Sequence, residues 1–216
     1  MYKLYNVKRW GSMGPHFVLE ELGVPYQNVW LTPEQVRAPD YQRISPLGLI
    51  PALGLADGRV VTESMAIVTF LTDAHADKGL APNPGTDDHA VYLSALAYLA
   101  SNLYPMINIA TDSGAFSNLG AEATEALKQR AIEHCDRLFD VIELKLESEG
   151  PFLLGEKFSA ADLYLFMLSV WALPSEARLH VRCPAIAGIG AHIRNRPKLK
   201  AALETHGVLK IAAAAA

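Results

Sequence analysis

The chain of 216 residues has only two cysteines, Cys135 and Cys183. Two distant thiols make no disulfide framework, and neither stands in a C-x-x-C or Cys/His metal spacing. The expectation is a reducing, cytoplasmic setting and no metal, and the seven histidines show no metal spacing either. Positive charge is also scarce. Lys and Arg number 19 against 23 Asp and Glu, a net charge of −4, which excludes the basic footprint of a general nucleic-acid binder. Met1 to Trp10 lacks the apolar stretch of a signal peptide, because Lys3, Lys8 and Arg9 interrupt it. There is no internal repeat. Hydrophobic residues make up 50 % of the chain and charged residues 19 %, so a disordered chain is excluded and a sizeable core is expected.

The first 75 residues alternate strand and helix signals. Tyr2–Val7 and Tyr26–Leu31 read as strands. Between them Ser12 stands at a helix start, Pro15 falls in the first turn, and Gly23 ends the helix. A short helix is expected over Pro39–Ile44. Pro51–Leu55 and Arg59–Val61 flank an Asp57-Gly58 turn, and Glu63–His75 reads as a third helix. Residues 78–86 (KGLAPNPGT) form a linker rich in Pro and Gly. Strand signals stop there. Helices are expected over Asp88–Thr111, bent near Pro105, over Ala121–Ser148, from the Ser159–Asp162 capping box through Trp171, and over Pro184–Arg194 and Pro197–Glu204. The uncharged run Ala90–Ala110 is 21 residues long, enough to span a bilayer. Its serines, asparagines and Pro105 favour a helix buried among helices. The plan is α/β followed by all-α, with domains at 1–77 and 87–210.

Three local patterns bear on chemistry, and each has a plain structural reading beside the functional one. Ser12 follows a strand and opens a helix: it is either a simple cap or part of an anion site at the positive helix end. Ile50-Pro51 enters a short strand. A cis bond there would turn the Ile50 backbone outward for a peptide-like ligand, whereas a trans bond would be an ordinary strand start. Thr62-Glu63-Ser64 opens the third helix. It either caps that helix or holds a ligand carboxylate on Ser64 and a ligand ammonium on Glu63.

In this order and within 65 residues, the three patterns resemble the glutathione S-transferase superfamily, most of all its bacterial beta or theta-like members. The resemblance rests on Ser12–Gly23 (SMGPHFVLEELG), Ser45–Leu53 (SPLGLIPAL), Thr62–Ile67 (TESMAI), Gly155–Asp162 (GEKFSAAD) and Arg196-Pro197. It implies a thioredoxin-like N-terminal domain followed by an all-helical domain, with glutathione as co-substrate. The γ-glutamyl end would sit on Glu63 and Ser64, the cysteine backbone on Ile50 before a cis Pro51, and the sulfur at Ser12. Asp162 would be a helix-capping aspartate.

There are three departures from the family pattern. Gly11 occupies the place of the beta-like cysteine, which leaves Ser12 as the candidate catalytic group. Leu49 replaces the basic or amide residue near the ligand's glycine end, so that contact would pass to Gln42 or Arg43. Asn102 and Tyr104 stand where an acidic residue and a histidine are common, the first near a partner subunit's ligand and the second near the electrophile. Trp10 and Met13 are candidates to wall the electrophile pocket, Tyr5 is expected in the core, and His16 on the helix surface.

The expected function is attack of a glutathione thiolate on a small apolar electrophile held between the two domains, as in detoxification. The alternatives are a glutathione-dependent isomerase, dehalogenase or ether-cleaving enzyme, or a non-catalytic binding protein on the same fold. A homodimer is expected, because Met65, Val68, Phe70, Tyr92, Leu96 and Leu99 cannot all face inward on two helices. No nucleic-acid or membrane partner is expected.

Overall fold

Strand β1 (Tyr2–Asn6), helix α1 (Met13–Leu22) and strand β2 (Tyr26–Trp30) make the opening unit of the computed structural model, which describes residues 1–211. The alanine run at 212–216 lies outside the described residues. β1 and β2 are parallel, in register from Tyr2↔Tyr26 to Asn6↔Trp30, and a parallel pair needs the crossover that α1 supplies. Phe17, Val18 and Leu19 of α1 are fully buried. The helix stops at Gly23, whose φ of 64° is left-handed.

Helices α2 (Pro33–Arg37) and α3 (Pro39–Gln42) follow, then β3 (Ala52–Gly54), β4 (Val60–Thr62) and α4 (Ser64–Ala74). β3 runs antiparallel to both β1 and β4, giving the sheet order β2-β1-β3-β4. This is the thioredoxin-like plan that the resemblance implies. Where one weak helix is expected there are two. α2 is held by a capping box in which the Gln35 N–H donates to Thr32 Oγ1 and the Thr32 N–H donates to Gln35 Oε1, at 3.3 and 2.8 Å.

The remaining helices are α5 (Asp87–Tyr98), α6 (Tyr104–Thr111), α7 (Ala121–Glu149), α8 (Ala160–Ser169), α9 (Glu176–Arg182), α10 (Pro184–Arg194) and α11 (Lys200–His206). The bend expected near Pro105 is a π turn over Leu99–Leu103, where the Tyr104 N–H reaches back to the Leu99 carbonyl. A wider turn just before Pro105 absorbs the proline's missing donor and its clash with the preceding turn. By length and composition the run Asp87–Thr111 could cross a membrane. One stripe of it, Tyr92, Leu96, Leu99, Leu103, Ile107 and Ala110, is buried, with α6 packed along α7. α8 is buried along its whole length. Both cysteines are free and buried.

The described residues form two compact units, Met1–His89 with Arg194–Leu209, and Ala90–Ile193 with Lys210 and Ile211. The sequence-based boundary places 194–209 in the helical domain, but these residues join the sheet unit. Arg196 explains why. Its Nε and Nη2 lie 2.5 and 2.7 Å from the two carboxylate oxygens of Glu21 on α1, and Lys198 Nζ donates to the Glu21 carbonyl at 2.7 Å.

Most of the apolar surface expected in surplus on the third helix and on Asp88–Thr111 is covered. Val68, Tyr92, Leu96 and Leu99 are buried within the single chain, and only Met65 and Phe70 of the six remain partly exposed.

Candidate functional site

Strand register brings three segments to one end of the sheet. Ala52 lies opposite Tyr5 on one side and Thr62 on the other. The loop leaving β1, the Ile50–Pro51 bond entering β3, and Glu63–Ser64 leaving β4 therefore emerge together. α1 and α4 both begin there, which directs two positive helix ends to the same region.

The Ile50–Pro51 bond is cis. β3 begins at Ala52, so the Ile50 backbone stays outside the sheet ladder. The loop before it is fixed from beneath. The Leu49 carbonyl accepts from Tyr41 Oη at 2.9 Å and Ser45 Oγ at 3.0 Å, and the Leu49 N–H donates to Ser45 Oγ at 3.3 Å. Gly48 has φ +61°, and a Cβ there would come within 3.3 Å of the Val36 carbonyl, so the tight turn requires glycine. With its backbone committed, Leu49 presents its side chain outward, 57 % exposed.

Glu63 adopts φ 65°, ψ 114°, a left-handed conformation that costs a residue with a Cβ about 1–3 kcal/mol. Its side chain is exposed, while Ser64, first residue of α4, is buried. Backbone strain of this kind persists where the surroundings hold it, and here it sets the direction of both side chains.

Ser12 is turned away from the start of α1. It is fully buried, makes no side-chain cap to α1, and its hydroxyl points back into the sheet, 2.5 Å from the Asn6 side-chain oxygen and 3.2 Å from both the Val7 nitrogen and carbonyl. Its single proton faces two acceptors, the Asn6 oxygen and the Val7 carbonyl, and it accepts from the Val7 N–H, so the hydroxyl is engaged inside the sheet. Met13 is also fully buried, which removes it as a wall of an open pocket. Trp10 is half-buried and packs on the cluster of Val7, Val36, Tyr41, Ile50 and Ala52. Tyr5 packs on the same cluster, 5.8 Å from the Tyr41 ring, in the core role expected. Gln42 is exposed beside the Gly48 turn. In the helical unit, Asn102 is exposed and its amide donates to the Tyr98 carbonyl of its own helix at 3.4 Å. Tyr104 is half-buried against Trp171, ring centres 5.4 Å apart. Among the described residues no group of three His, Cys, Asp or Glu side chains could hold a metal.

His16 is not on the surface. It is 3 % exposed, with Nδ1 2.9 Å from His206 Nε2 and Nε2 2.9 Å from the Asn28 amide. Asn28 in turn meets Asn6 at 2.9 Å. The sequence reading missed Asn6, Asn28 and His206 altogether. The strand alternation held the signal: positions 2, 4, 6 and 26, 28, 30 share one face, so two asparagines fall where apolar residues are the rule.

Residues 12–74 match the family model for the glutathione S-transferase N-terminal domain, and residues 113–206 that for its C-terminal domain. The chain belongs to the glutathione S-transferase superfamily. It is 27 % identical to the uncharacterized GST-like protein YncG of Escherichia coli K12 over 212 residues, 97 % of this chain and 100 % of that one. It is 30 % identical to the glutathione S-transferase-like protein gedE of Aspergillus terreus over 177 residues, 76 % of this chain and 77 % of that one. Among solved structures, a glutathione transferase homolog from Sulfitobacter with bound glutathione is 27 % identical, with a TM-score of 0.83 over 97 % of this chain and 99 % of that one. As a superfamily member the chain carries Asp162 in its capping role: Oδ1 accepts from the Leu153 N–H and Oδ2 from the Ser159 N–H, each at 2.8 Å. Burial raises its pKa to about 6, against the opposing pull of those hydrogen bonds.

Proposed function

We propose that this protein is a glutathione transferase that ionises the glutathione thiol and directs it at a small apolar electrophile. One observation supports this above the others: the register at Ala52, which gathers the start of α1, the unladdered Ile50 backbone and the strained Glu63–Ser64 corner at one end of the sheet. In this reading the Ile50 backbone pairs with the cysteine of the tripeptide as an added strand. Ser64 and the first turn of α4 take the γ-glutamyl carboxylate, and the Glu63 carboxylate takes its ammonium.

With Ser12 turned inward, the sulfur falls to the backbone at the start of α1. A hundredfold gain in thiolate at a fixed pH needs about 2.7 kcal/mol. One charge-assisted hydrogen bond of about 1.5–3 kcal/mol and a helix terminus of about 0.3–1 kcal/mol cover that without a side-chain donor. The proton leaves to solvent on ionisation. The sulfur lone pair then forms the C–S bond as the electrophile's leaving group departs with its electron pair.

Leu49 offers no charge to the glycine end, and Gln42 is the polar side chain beside that turn. Trp10 is proposed to line the electrophile side of this end of the sheet. Tyr104 near the electrophile, Asn102 toward a partner subunit's ligand, a homodimer and a cytoplasmic detoxifying role complete the proposal. The half-exposed Met65 and Phe70 support the dimer, and the two buried free thiols suit a reducing compartment.

Titration calorimetry and thiolate ultraviolet absorbance test the reading. Glutathione should bind the wild type and show thiolate absorbance near pH 7, and Ser64→Ala should weaken binding at least tenfold while leaving the unfolding midpoint nearly unchanged. Glutathione that fails to bind, or binds Ser64→Ala unchanged, refutes the site. Light scattering near the single-chain mass of 23.5 kDa refutes the dimer.

A further inference from the structure

The buried polar row from Ser12 to His206 permits one arrangement of protons. The Arg9 backbone N–H donates to His206 Nδ1 at 3.1 Å, and a backbone amide cannot reverse its role. His206 therefore carries its proton on Nε2 and donates to His16 Nδ1, 2.9 Å away. His16 must then be protonated on Nε2. Glu20 Oε1, 3.6 Å from that nitrogen, favours a proton there. The group facing His16 Nε2 at 2.9 Å has to be the Asn28 amide oxygen. With Nδ2 there instead, two donors would meet, so the Asn28 amide is turned over. Its Nδ2 then faces Asn6 at 2.9 Å, which must answer with oxygen, so the Asn6 amide is turned over as well: the place of its Oδ1, 2.5 Å from Ser12 Oγ, passes to Nδ2, and the contact lengthens toward about 2.9 Å as an N–H···O bond donated to Ser12. Ser12 also accepts from the Val7 N–H and passes its own proton to the Val7 carbonyl at 3.2 Å. From the Arg9 amide to the Val7 carbonyl, each link of the row now sets a donor against an acceptor. With either amide left in the other orientation, a donor faces a donor in a buried site, an arrangement that native interiors avoid.

Both ends of the row lie on the loop of residues 7–12. Arg9, at one end, holds the second left-handed non-glycine backbone among the described residues, φ 64°. Val7 and Ser12, at the other end, open α1.

We infer that Asn6, Asn28, His16 and His206 are positioning residues: a one-way hydrogen-bond row from the Arg9 amide to the Val7 carbonyl that holds loop 7–12 in the shape the thiol site requires. This rests on the proposed function for its catalytic consequence, though not for its proton arrangement. Burial, then the neighbouring His16, Lys8 and Arg9, hold the His206 pKa down near 3, so the ring stays neutral while the enzyme works. Glu20 and the Tyr26 hydroxyl are the other titratable groups facing the row.

Two measurements test it. Nitrogen-15 NMR of the histidine rings in the wild type, without glutathione, should show both His16 and His206 neutral and protonated on Nε2. A proton on Nδ1 of either ring overturns the arrangement. Next, His206→Leu removes the acceptor for Arg9, whereas His206→Asn places an amide oxygen near the Nδ1 position. His206→Leu should lower kcat about tenfold by shifting thiolate formation one pH unit upward, with KM for glutathione changed less than twofold. His206→Asn should recover most of that loss. Equal kcat and thiolate profiles in folded His206→Leu and wild type overturn the positioning role. If His206→Leu does not fold, the His206→Asn profile against wild type carries the same comparison, and a tenfold loss there overturns the part assigned to the Arg9 acceptor. A wild type that ionises no glutathione sinks the functional reading and the positioning role with it, while the NMR result still decides the proton arrangement.

Discussion

Replacing Arg196 with Met should destabilise the sheet unit by about 3 kcal/mol, and the structure gives the reason. Glu21 on α1 has a side chain 3 % exposed, and its two carboxylate oxygens are taken by Arg196 Nε and Nη2. Breaking a buried pair by removing one member typically costs about 3–5 kcal/mol, because it leaves an uncompensated charge in a low-dielectric site. Arg196 is itself 29 % exposed, so water reaches part of the vacated space and the lower end of that range applies. Glu21→Leu in the same chain removes the stranded charge. The double variant should therefore recover at least half of the loss, a non-additivity that two independent surface residues would not show. Urea unfolding of wild type, both single variants and the double variant measures all four corners of the cycle. A loss under 1 kcal/mol for Arg196→Met, or strict additivity in the cycle, would show that the pair is no more than a surface contact.

Ser12→Ala should lower stability by about 1–3 kcal/mol through the unpaired Asn6 amide and Val7 N–H, with kcat/KM for the folded fraction changed only severalfold; a thousandfold loss of turnover with normal stability would return the thiolate to the hydroxyl. Asp162→Ala strands the Leu153 and Ser159 N–H groups, and its effect depends on pH with a definite sign. The carboxyl has a folded pKa of about 6, above its ordinary 3.8, so the native state holds the extra proton between those values. That contribution to stability is full below about pH 4 and lost as pH rises through about 6. The penalty of Asp162→Ala should therefore be larger at pH 5 than at pH 7.5, and unfolding curves showing the reverse order refute the assignment. Burial pushes the Cys135 thiol up to about 12 and the Cys183 thiol to about 11, so neither should react with a chromogenic disulfide reagent at pH 8 until denaturant is added; a fast equivalent of released thiolate would contradict the packing.

Legibility in the sequence followed the range of the interactions. The sheet unit declared itself through local signals: alternation in Tyr2–Val7, Gly23 after the first helix, Asp57-Gly58 between β3 and β4. The Ser159–Asp162 box marked α8 because both partners lie within four residues. Two helices with equally local signals were passed over. Thr32-Pro33-Glu34-Gln35 is a capping box with proline in the first turn, and Ser175 caps α9 through the Arg178 N–H at 3.2 Å. At that end of the sheet, the cis Ile50–Pro51 bond and the helix start at Ser64 are marked by short motifs at element boundaries. The setting of Ser12 was not legible, for the opposite reason. Its hydroxyl is turned from α1 toward Asn6, and that choice depends on Asn28 across the sheet and His206 near the chain end, 194 positions away. A residue whose partners come from so far along the chain looks like a plain helix cap until the chain is folded.

The joining of Arg194–Leu209 to Met1–His89 also sets an order of events at the ribosome. At roughly 5–20 residues per second, the 104 positions between residues 89 and 194 take about 5–20 seconds to synthesise. During that interval the strands and α1 are present, but Glu21 has no guanidinium, His16 has no second imidazole, and the loop after β1 has no anchor for the Arg9 amide. The sheet unit thus stays incomplete until the whole helical segment between its two parts has been made. A nascent chain truncated just before Arg194 should be held by chaperones for longer than one ending at Ile211, although the two carry the same sheet.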